Sequence, residues 1–278
     1  MKVLLTGAAG MLAQAFLNKK PRDWSLDAVD IDSFDIADRA TVQEAVLKFA
    51  PEIIINCAAF TRVDECEEKR EIAFAVNGEA VGYLAEAANK IGTRLVHFSS
   101  DYIFDGTKGA PYDEDDPANP VSIYGASKWE GEYQLRKHME NHLIIRTQWL
   151  YGHGGNHFAK TILNLAEKQD VLRVVDDQIG SPTWTEDLAE ATLALIDKGV
   201  TGTYHVVNAG QCSWHRFACR IIDEAGLKTQ VIPCTTAEFP RPARRPAYSV
   251  LSTEKASATI GRSLPTWELA LQRFMRSV

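Results

Sequence analysis

The chain has 278 residues, 45% of them hydrophobic and 24% charged, which is enough to bury a large core as one big domain or two closely joined ones. Its formal net charge of −7 disfavours general nucleic-acid binding. It contains no run of about 18 apolar residues, so we expect no membrane-spanning segment.

The first predicted strand and the turn after it carry a dinucleotide-binding pattern. Apolar residues 3–5 predict a buried parallel strand, and Leu12 and Phe16 begin the apolar face of a helix. Gly7 and Gly10 permit a sharp turn and a close approach to a pyrophosphate, to which the helix N-terminus offers unpaired N–H groups. A glycine turn with a purely structural role is the alternative.

A second strand, predicted over residues 25–30, ends at Asp30, where a carboxylate could bind an adenosine ribose hydroxyl. No arginine follows immediately, so the local charge favours NADH slightly, although basic residues elsewhere could hold a 2′-phosphate. Asp35 could accept a hydrogen bond from the adenine amino group, and Ile36 could cover the ring. Turn-forming aspartates are the alternative for both acidic residues.

Strands and helices alternate through the remainder of the first half. This alternation predicts an α/β fold with a doubly wound, Rossmann-type parallel sheet. We expect buried strands at residues 52–56, 95–99 and 142–146, and helices at residues 79–91 and 124–139.

Two of these strands end in residues suited to ligand binding, because ligands of open α/β sheets lie at the carboxyl ends of the strands. Small residues after Asn56, up to Thr61, would let a dinucleotide lie flat; tight packing is the alternative. Ser99 and Ser100 end the strand that precedes the helix at 124–139. The Ser100 hydroxyl could donate a hydrogen bond to a substrate carbonyl.

Tyr124 and Lys128 stand four residues apart in that helix, which puts the phenol and the ammonium on one face. A free tyrosine has a pKa of about 10, and a nearby cation favours the phenolate and lowers that pKa towards the working range. An exposed helical pair is the alternative. The position of Tyr124 after the strand that ends in Ser100 favours a catalytic role.

The pattern changes after Trp149. A helix reaching to about residue 168 is followed by a loop around residues 176–183, and the last third contains a proline-rich stretch at residues 239–246. These features predict a smaller, mixed α/β substrate-binding region after the parallel sheet.

Two regions are therefore expected. Residues 1–148 should form an NAD(P)-binding domain, and residues 149–278 should form mainly the substrate-binding region. Within the second region, we expect about residues 184–204 to pack back on the first domain.

The cysteines indicate the cellular compartment. There are five, scattered along the chain without a Cys-x-x-Cys pair, which suits a reducing cytoplasm and argues against disulfides or a zinc site. The first strand begins almost at Met1, so no signal peptide is expected. We therefore expect a cytoplasmic protein.

Taken together, these motifs resemble the extended short-chain dehydrogenase/reductase family and, within it, the dTDP-4-dehydrorhamnose reductases. The residues that carry the resemblance occur in order along nearly the whole chain. They are Thr6-Gly-Ala-Ala-Gly-Met-Leu-Ala13, Asn56-Cys-Ala-Ala-Phe-Thr-Arg-Val-Asp64, Ser99-Ser-Asp-Tyr-Ile-Phe-Asp-Gly106, Tyr124-Gly-Ala-Ser-Lys128, Arg146-Thr-Gln-Trp-Leu-Tyr-Gly152, Asn156-His-Phe-Ala-Lys160, Asp177-Gln-Ile-Gly-Ser-Pro-Thr183 and Pro242-Ala-Arg-Arg-Pro246.

The resemblance implies an enzyme that reduces the C4 ketone of dTDP-4-dehydro-L-rhamnose to dTDP-L-rhamnose, for cell-surface polysaccharide synthesis. The hydride would come from NADPH or NADH. Tyr124 would deliver a proton to the carbonyl oxygen and Ser100 would donate a second hydrogen bond. Lys128 would hold the nicotinamide ribose and keep the phenol acidic.

The resemblance also implies the remaining site residues. Arg244 and Arg245 could grip the diphosphate, because a guanidinium fork suits phosphate oxygens; an exposed surface pair is the alternative. Cofactor contacts are expected from Gly7, Ala9, Gly10, Met11, Leu12, Asp30, Asp35, Ile36, Ala58, Ala59, Thr61, Ser99, Tyr124 and Lys128. Substrate contacts are expected from Val63, Ser100, Asp101, Tyr102, Trp149, Asn156, Arg244 and Arg245.

Two alternatives remain at this point. One is another nucleotide-sugar epimerase or reductase of the same superfamily; Tyr102 stands where related dehydratases carry an elimination base, which disfavours dehydration. The other is a non-catalytic binding relative, such as a methionine adenosyltransferase regulatory subunit. The presence of Ser100, Tyr124 and Lys128 argues against the second.

One departure from the family concerns metal binding. Some members bind magnesium at a dimer interface through three glutamates, but of the matching positions Glu186 alone is acidic, and Ala15 and Ser277 cannot serve. We therefore expect no such metal site. The expected partner is a nucleotide-sugar substrate, with no nucleic acid and no membrane, and the protein is expected to be a monomer or a homodimer.

Overall fold

The computed structural model describes residues 1–277, in which strands and helices alternate from the start of the chain. A π-helical turn at Ala75–Glu79 and a 3₁₀ turn at Asp101–Ile103 accompany the regular elements of the first half. Those elements are β1 (Lys2–Thr6), α1 (Met11–Lys19), β2 (Ser25–Val29), α2 (Arg39–Phe49), β3 (Ile53–Asn56), α3 (Val63–Glu68), α4 (Arg70–Phe74), α5 (Ala80–Lys90), β4 (Arg94–Ser100), α6 (Ile123–His138) and β5 (His142–Thr147).

The second half contains shorter strands and further helices. They are β6 (Leu150–Tyr151), α7 (Phe158–Ala166), β7 (Val171–Val175), β8 (Ile179–Gly180), β9 (Thr183–Trp184), α8 (Thr185–Asp197), β10 (Gly202–His205), β11 (Cys212–Ser213), α9 (Trp214–Glu224), β12 (Gln230–Cys234), α10 (Glu254–Ile260) and α11 (Trp267–Met275).

A parallel sheet of six strands organises the molecule, in the order β10-β5-β4-β3-β1-β2. The chain moves outwards from β1 in both directions, to β2 on one side and through β3 on the other. The order therefore reverses between β1 and β3, and the carboxyl ends of these strands open a crevice where α/β sheets bind ligands. The predicted doubly wound parallel sheet is confirmed.

Both faces of the sheet are covered, which explains the continuous apolar runs in its central strands, such as residues 3–5 of β1 and 53–55 of β3. Alternate residues of one strand point to opposite faces, so Val3 and Leu5 pack in one buried cluster and Leu4 in the other. On the first face they meet Phe16 of α1 and Leu188 of α8. Full burial of each such side chain stabilises the fold by about 1.5–3 kcal/mol.

The helix predicted at 79–91 extends further towards the N-terminus than expected. The π turn joins α4 to α5, and its buried Asn77 explains the irregularity. The Asn77 amide accepts from Phe60 N–H at 2.8 Å and donates to Phe60 O and to Ser127 Oγ, each at 3.0 Å. These bonds fasten the segment after β3 to helix α6.

Later elements also depart from the prediction. The stretch at 176–183, expected to be a loop, contains the short strands β8 and β9. Strand β10 extends the main sheet beside β5, and α8 packs against α1. Within residues 1–277, no helix is long and apolar enough to cross a bilayer.

Candidate active site

A cleft of about 430 Å³ lies at the carboxyl ends of β1, β2 and β3, where the strand order reverses. Gly7 has φ = +69°, and a Cβ atom there would lie 2.7 Å from the backbone nitrogen of Ala58. Glycine is therefore required both for the turn and for the close approach of the two loops. The predicted cofactor residues in the lining are Gly7, Ala9, Gly10, Asp30, Asp35, Ile36, Ala58 and Ala59.

The two aspartates of the cleft both shape its walls. Asp30 accepts from the N–H of Ala9 at 2.7 Å and from that of Ile31 at 2.8 Å, so it ties the glycine turn to the end of β2. Asp35 accepts from Ala37 N–H at 2.8 Å. Each carboxylate oxygen keeps a lone pair for a ligand. The turn-forming and ligand-binding interpretations are therefore compatible.

Six predicted cofactor residues lie outside the lining of this cleft: Tyr124 and Lys128 on α6, and four others. The Leu12 side chain is in the hydrophobic core, and the Met11 side chain packs beside Gly155. Thr61 is exposed, and Ser99 is buried within β4. Because the Leu12 side chain packs in the core, we expect its contribution to come from its backbone N–H in the first turn of α1.

Helix α6 brings the predicted catalytic phenol to the end of β4. Ser122 caps the helix by accepting from Gly125 N–H at 3.2 Å. A Cβ atom on Gly125 would overlap the carbonyl oxygen of Tyr102, so glycine lets α6 pack directly on the 3₁₀ turn after β4. The rings of Tyr102 and Tyr124 meet edge to face, with centroids 5.4 Å apart.

A buried hydrogen-bond chain lies beside Tyr124. Ser100 Oγ donates to Asp101 Oδ1 at 2.9 Å and accepts from Tyr102 N–H at 3.2 Å. Ser249 Oγ donates to the other oxygen of Asp101 at 2.6 Å. Burial raises the pKa of Asp101 to about 7, although both serine hydrogen bonds oppose the shift. Sequence reasoning missed Ser249, which lies 148 residues from Asp101 and belongs to no recognisable pattern.

The electrostatic prediction for Tyr124 and Lys128 is corrected by the structure. Burial raises the pKa of Tyr124, and the charge of Asp101 raises it further, with Ser100 opposing. Burial lowers the pKa of Lys128 to about 8, while the charge of Glu132 opposes that shift. The expected lowering of the pKa of Tyr124 is therefore not found, because burial dominates. Tyr124 is protonated at neutral pH, which is the form that can donate a proton.

A second cleft, of about 650 Å³, lies between α7, β7 and the proline-rich segment predicted at 239–246. Arg244 and Arg245 both line it. Arg244 is exposed, whereas both terminal nitrogens of Arg245 donate to the carboxylate of Asp64, each at 3.0 Å. Of the two guanidinium groups expected to bind a diphosphate, that of Arg244 is exposed in the cleft and that of Arg245 is engaged by Asp64.

The remaining predicted substrate residues differ in burial. Trp149 stacks face to face on Trp214, with ring centroids 3.5 Å apart and planes inclined by 10°. Val63 is partly buried at the first residue of α3, and Asn156 is exposed before α7. Sequence reasoning missed Trp214, since an aromatic residue at a helix start carries no signal of its own.

Two of the three positions considered for a magnesium site, Glu186 and Ser277, are engaged in other contacts. Glu186 lies 3.6 Å from the Lys19 ammonium and accepts from the Asn18 amide at 3.2 Å. Ser277 Oγ donates to Phe274 O at 2.6 Å. In the described part of the chain, no group of three or more His, Cys, Asp or Glu side chains is placed to hold a metal ion.

Known proteins related to this chain identify its family. A family model described as the RmlD substrate binding domain matches residues 1–278. The chain belongs to the RmlD family. A curated member, the spore coat polysaccharide biosynthesis protein SpsK of Bacillus subtilis, is 44% identical over 276 residues, covering 99% of this chain and 97% of that protein.

Solved structures of related proteins superpose on this chain over its full length. A dTDP-4-dehydrorhamnose reductase from Clostridium acetobutylicum superposes with a TM-score of 0.98 at 41% identity, covering 100% of this chain and 99% of the other. The Bacillus anthracis dTDP-4-dehydrorhamnose reductase, solved in complex with NADP, gives a TM-score of 0.96 at 38% identity with the same coverage. The resemblance to dTDP-4-dehydrorhamnose reductases, which the sequence motifs indicated, is therefore confirmed for this RmlD family member.

Proposed function

We propose that the chain reduces the C4 ketone of dTDP-4-dehydro-L-rhamnose to dTDP-L-rhamnose with a hydride from NADPH or NADH. The observation that carries this proposal is the meeting of Tyr124 and Ser100 at the end of β4, next to a cleft shaped for a dinucleotide. Full-length similarity to dTDP-4-dehydrorhamnose reductases supports the substrate assignment.

The residues of the first cleft fit a nicotinamide dinucleotide. The space that a Cβ on Gly7 would fill is the cradle a pyrophosphate needs, at the N-terminus of α1. We assign the backbone N–H groups of Met11 and Leu12, in the first helical turn, to the phosphates. Asp30 would bind the adenosine ribose. The remaining proposed cofactor contacts are Ala9, Gly10, Asp35, Ile36, Ala58, Ala59, Thr61, Ser99, Tyr124 and Lys128.

The cofactor supplies the hydride when bound, and Tyr124 supplies the proton. As negative charge develops on the C4 oxygen, the protonated phenol transfers its proton to that oxygen and becomes a phenolate. Ser100 has a single hydroxyl proton, which ionised Asp101 accepts, so donation to the ketone requires the hydroxyl to turn from Asp101. Positioned proton transfer of this kind contributes roughly 10²–10⁴-fold to the rate.

The second cleft is the proposed site of the nucleotide part of the substrate. Its volume lies within the range of small-molecule sites, roughly 300–1,000 Å³. Arg241 and Arg244 bring positive charge to its wall, which suits a diphosphate. Arg245 acts by fixing the wall through Asp64. The proposed contacts with the sugar are Val63, Ser100, Asp101, Tyr102, Trp149 and Asn156.

The division of labour within the chain is also a proposal. Residues 1–148 would bind the cofactor and residues 149–278 mainly the substrate, with about residues 184–204 serving the first region. The position of β10 in the main sheet and the packing of α8 on α1 support this division. We further propose a cytoplasmic location, supported by five free cysteines, and a monomer or homodimer.

A cofactor-oxidation assay tests the proposed function. Purified protein is mixed with NADH or NADPH and with dTDP-4-dehydro-L-rhamnose, or with a UDP- or GDP-linked keto-sugar. We expect stoichiometric oxidation with the dTDP sugar and formation of dTDP-L-rhamnose. Epimerisation of a sugar without net oxidation of the cofactor would favour an epimerase. Absence of turnover with all of the sugars would favour a binding protein.

A matched pair of variants tests the proton donor. Tyr124→Phe should lower kcat roughly 10²–10⁴-fold because the proton is lost from the transition state. Nucleotide binding, followed by nicotinamide fluorescence, should be retained. Tyr133→Phe removes an exposed hydroxyl from the same helix and should leave kcat unchanged. Wild-type rates in Tyr124→Phe would show that another group delivers the proton.

A further inference from the structure

Trp149 adopts a backbone conformation that a bulky residue rarely occupies. Its φ is +48°, and in the described part of the chain Ala50 is the other residue besides glycine with positive φ. Such conformations persist where the surroundings over-determine them, and they cluster at functional sites. The contacts that hold the Trp149 side chain therefore bear on the site.

Two neighbours fix the Trp149 indole. On its face lies the Trp214 ring, 3.5 Å away between centroids and inclined by 10°. At its edge lies Gly180, where a Cβ atom would stand 2.6 Å from Trp149 Cε2. Gly180 in β8 pairs with Cys212 in β11, which leads directly into α9 and Trp214. The pairing of β8 with β11 therefore sets both neighbours at once.

The direction of Trp214 is itself fixed by local structure. Trp214 is the first residue of α9, and Ser213 caps this helix by accepting from Arg216 N–H at 3.0 Å. On its other side the Trp214 ring contacts Phe158, with centroids 4.5 Å apart. Phe158 and Trp214 both line the second cleft together with Arg244. One aromatic stack thus runs from this cleft to Trp149.

The opposite end of the stack leads to the catalytic groups. Gln148, adjacent to Trp149, donates its amide N–H to Ser249 O at 2.9 Å. Ser249 Oγ in turn donates to Asp101, which accepts from Ser100. Trp149 is therefore linked through Trp214 to the proposed nucleotide cleft, and through the preceding residue, Gln148, to the hydrogen-bond chain that serves Tyr124.

We propose that Trp214 is a positioning residue for sugar reduction, holding the Trp149 indole as a rigid wall between the nucleotide cleft and the ketone site. The inference rests on the proposed function. A fixed wall restricts the sugar to orientations in which C4 faces the hydride donor and Tyr124. Misplacement of a reacting group by about 1 Å costs on the order of 10²-fold in rate.

The first test separates positioning from binding. Trp214→Leu, which cannot stack, should lower kcat with the dTDP keto-sugar roughly 10–10²-fold, while KM for the reduced nicotinamide stays unchanged. Trp214→Phe, which can stack, should recover most of kcat. A Trp214→Leu enzyme with wild-type kcat and KM for the sugar would overturn the proposal.

The second test needs no turnover. Two indoles stacked face to face couple their electronic transitions and give a pair of circular dichroism bands of opposite sign. We expect the pair in the wild type, its loss in Trp214→Leu, and its retention in Trp24→Phe, which removes a buried indole from the first domain. Persistence of the pair in Trp214→Leu would show that Trp149 stacks elsewhere and would overturn the proposal.

Gly180→Ala provides an independent variant if Trp214→Leu does not fold. The added methyl would stand 2.6 Å from Trp149 Cε2 and 2.5 Å from Gln148 Oε1, so both side chains must shift. The variant should therefore weaken the paired bands, which report on Trp149, and lower kcat. Unchanged bands and unchanged kcat would contradict the proposal. An inactive wild type that retains the paired bands would mean failure of the proposed function rather than of the stack.

Discussion

The phenol of Tyr124 lies beside Ser100, the ring of Tyr102 and the buried carboxyl of Asp101. Helical spacing alone predicts a cation that acidifies the phenol, but burial acts on every one of these groups and disfavours each charged form. Tyr124 is therefore protonated at neutral pH, and the pKa of Lys128 is lowered to about 8. A protonated Tyr124 suits a reduction, because the acid must keep its proton until the hydride is transferred.

Asp101 makes the stability of the protein depend on pH. Its pKa is 3.8 in ordinary surroundings and about 7 in the fold, so between these values the folded state binds more protons than the unfolded state. Stability should therefore fall as pH rises through this window, by at most about 1.4 kcal/mol per pH unit, and then level off above it.

Asp101→Asn tests this dependence, because asparagine keeps the size and one acceptor but cannot ionise. Urea unfolding of both proteins across the window should show the wild type losing free energy of unfolding relative to Asp101→Asn as pH rises. Parallel pH profiles for the two proteins would contradict the expected ionisation of Asp101.

Asp30 should control the choice between the two nicotinamide cofactors. Its carboxylate lines the proposed adenosine end of the cleft, where no lysine or arginine is among the described lining residues. A 2′-phosphate would meet a negative charge, so we expect NADH to be preferred. Asp30→Asn can still accept from Ala9 N–H while removing the charge. It should shift the ratio of kcat/KM values towards NADPH by about tenfold, or about 1.4 kcal/mol.

Two measurements check this prediction. Dissociation constants for NADH and NADPH, followed by fluorescence, should move in the same direction as the kinetic ratio. The control is Asp32→Asn, which removes an equal charge from an exposed neighbour outside the lining and should leave the ratio unchanged. An equal shift in both variants would indicate a general charge effect rather than a contact of Asp30.

At the scale of elements, the sequence predicts best where burial is continuous. The apolar runs of β1, β3 and β4 locate their strands to within a residue, because both faces of these strands are covered. Strands of two residues, such as β8 and β11, are too short to show a period of two. The early start of the α4–α5 segment was hidden because it depends on hydrogen bonds of Asn77 to residues on other elements.

Gly125 shows how a backbone contact between elements sets the site. Helix α6 approaches the 3₁₀ turn so closely that any Cβ at position 125 would overlap Tyr102 O. Gly125→Ala should therefore push Tyr124 away from Ser100. We expect a loss of about 1–3 kcal/mol in the free energy of unfolding and a lower kcat.

Denaturant unfolding and the cofactor-oxidation assay measure these two effects. The control is Gly82→Ala in α5, where an added Cβ would lie 3.2 Å from the Cβ of Gln134, a far milder contact than the overlap at position 125. Because alanine also raises helix propensity, this variant should lose much less stability than Gly125→Ala. If Gly125→Ala kept both stability and kcat, the close approach of α6 to the turn would have no functional weight.

At the scale of the whole molecule, the site depends on contacts that sequence patterns do not reveal. Tyr124, Ser100 and the glycine turn could be predicted, since each lies in a local pattern next to a predicted strand. Ser249 and Trp214 could not, because their significance comes from partners far along the chain. Asp64 and Arg245 are joined across 181 residues.

The Asp64–Arg245 pair joins the proline-rich segment to α3, and so connects the proposed substrate-binding region to the first half of the chain. Burial alone would raise the pKa of Asp64, but hydrogen bonds from Arg245 and from Ala243 N–H bring it below its ordinary value. Arg245→Gln should therefore lower the free energy of unfolding by about 1 kcal/mol, and the loss should diminish at low pH as Asp64 is protonated.

Arg244→Gln is the matched comparison, because Arg244 is exposed in the same cleft. It should leave stability unchanged and weaken binding of dTDP by about tenfold, or about 1.4 kcal/mol. Calorimetric titration with dTDP and urea unfolding of both variants separate the two roles. The assignment fails if Arg245→Gln weakens dTDP binding with no loss of stability, since Arg245 would then contact the diphosphate instead of holding Asp64.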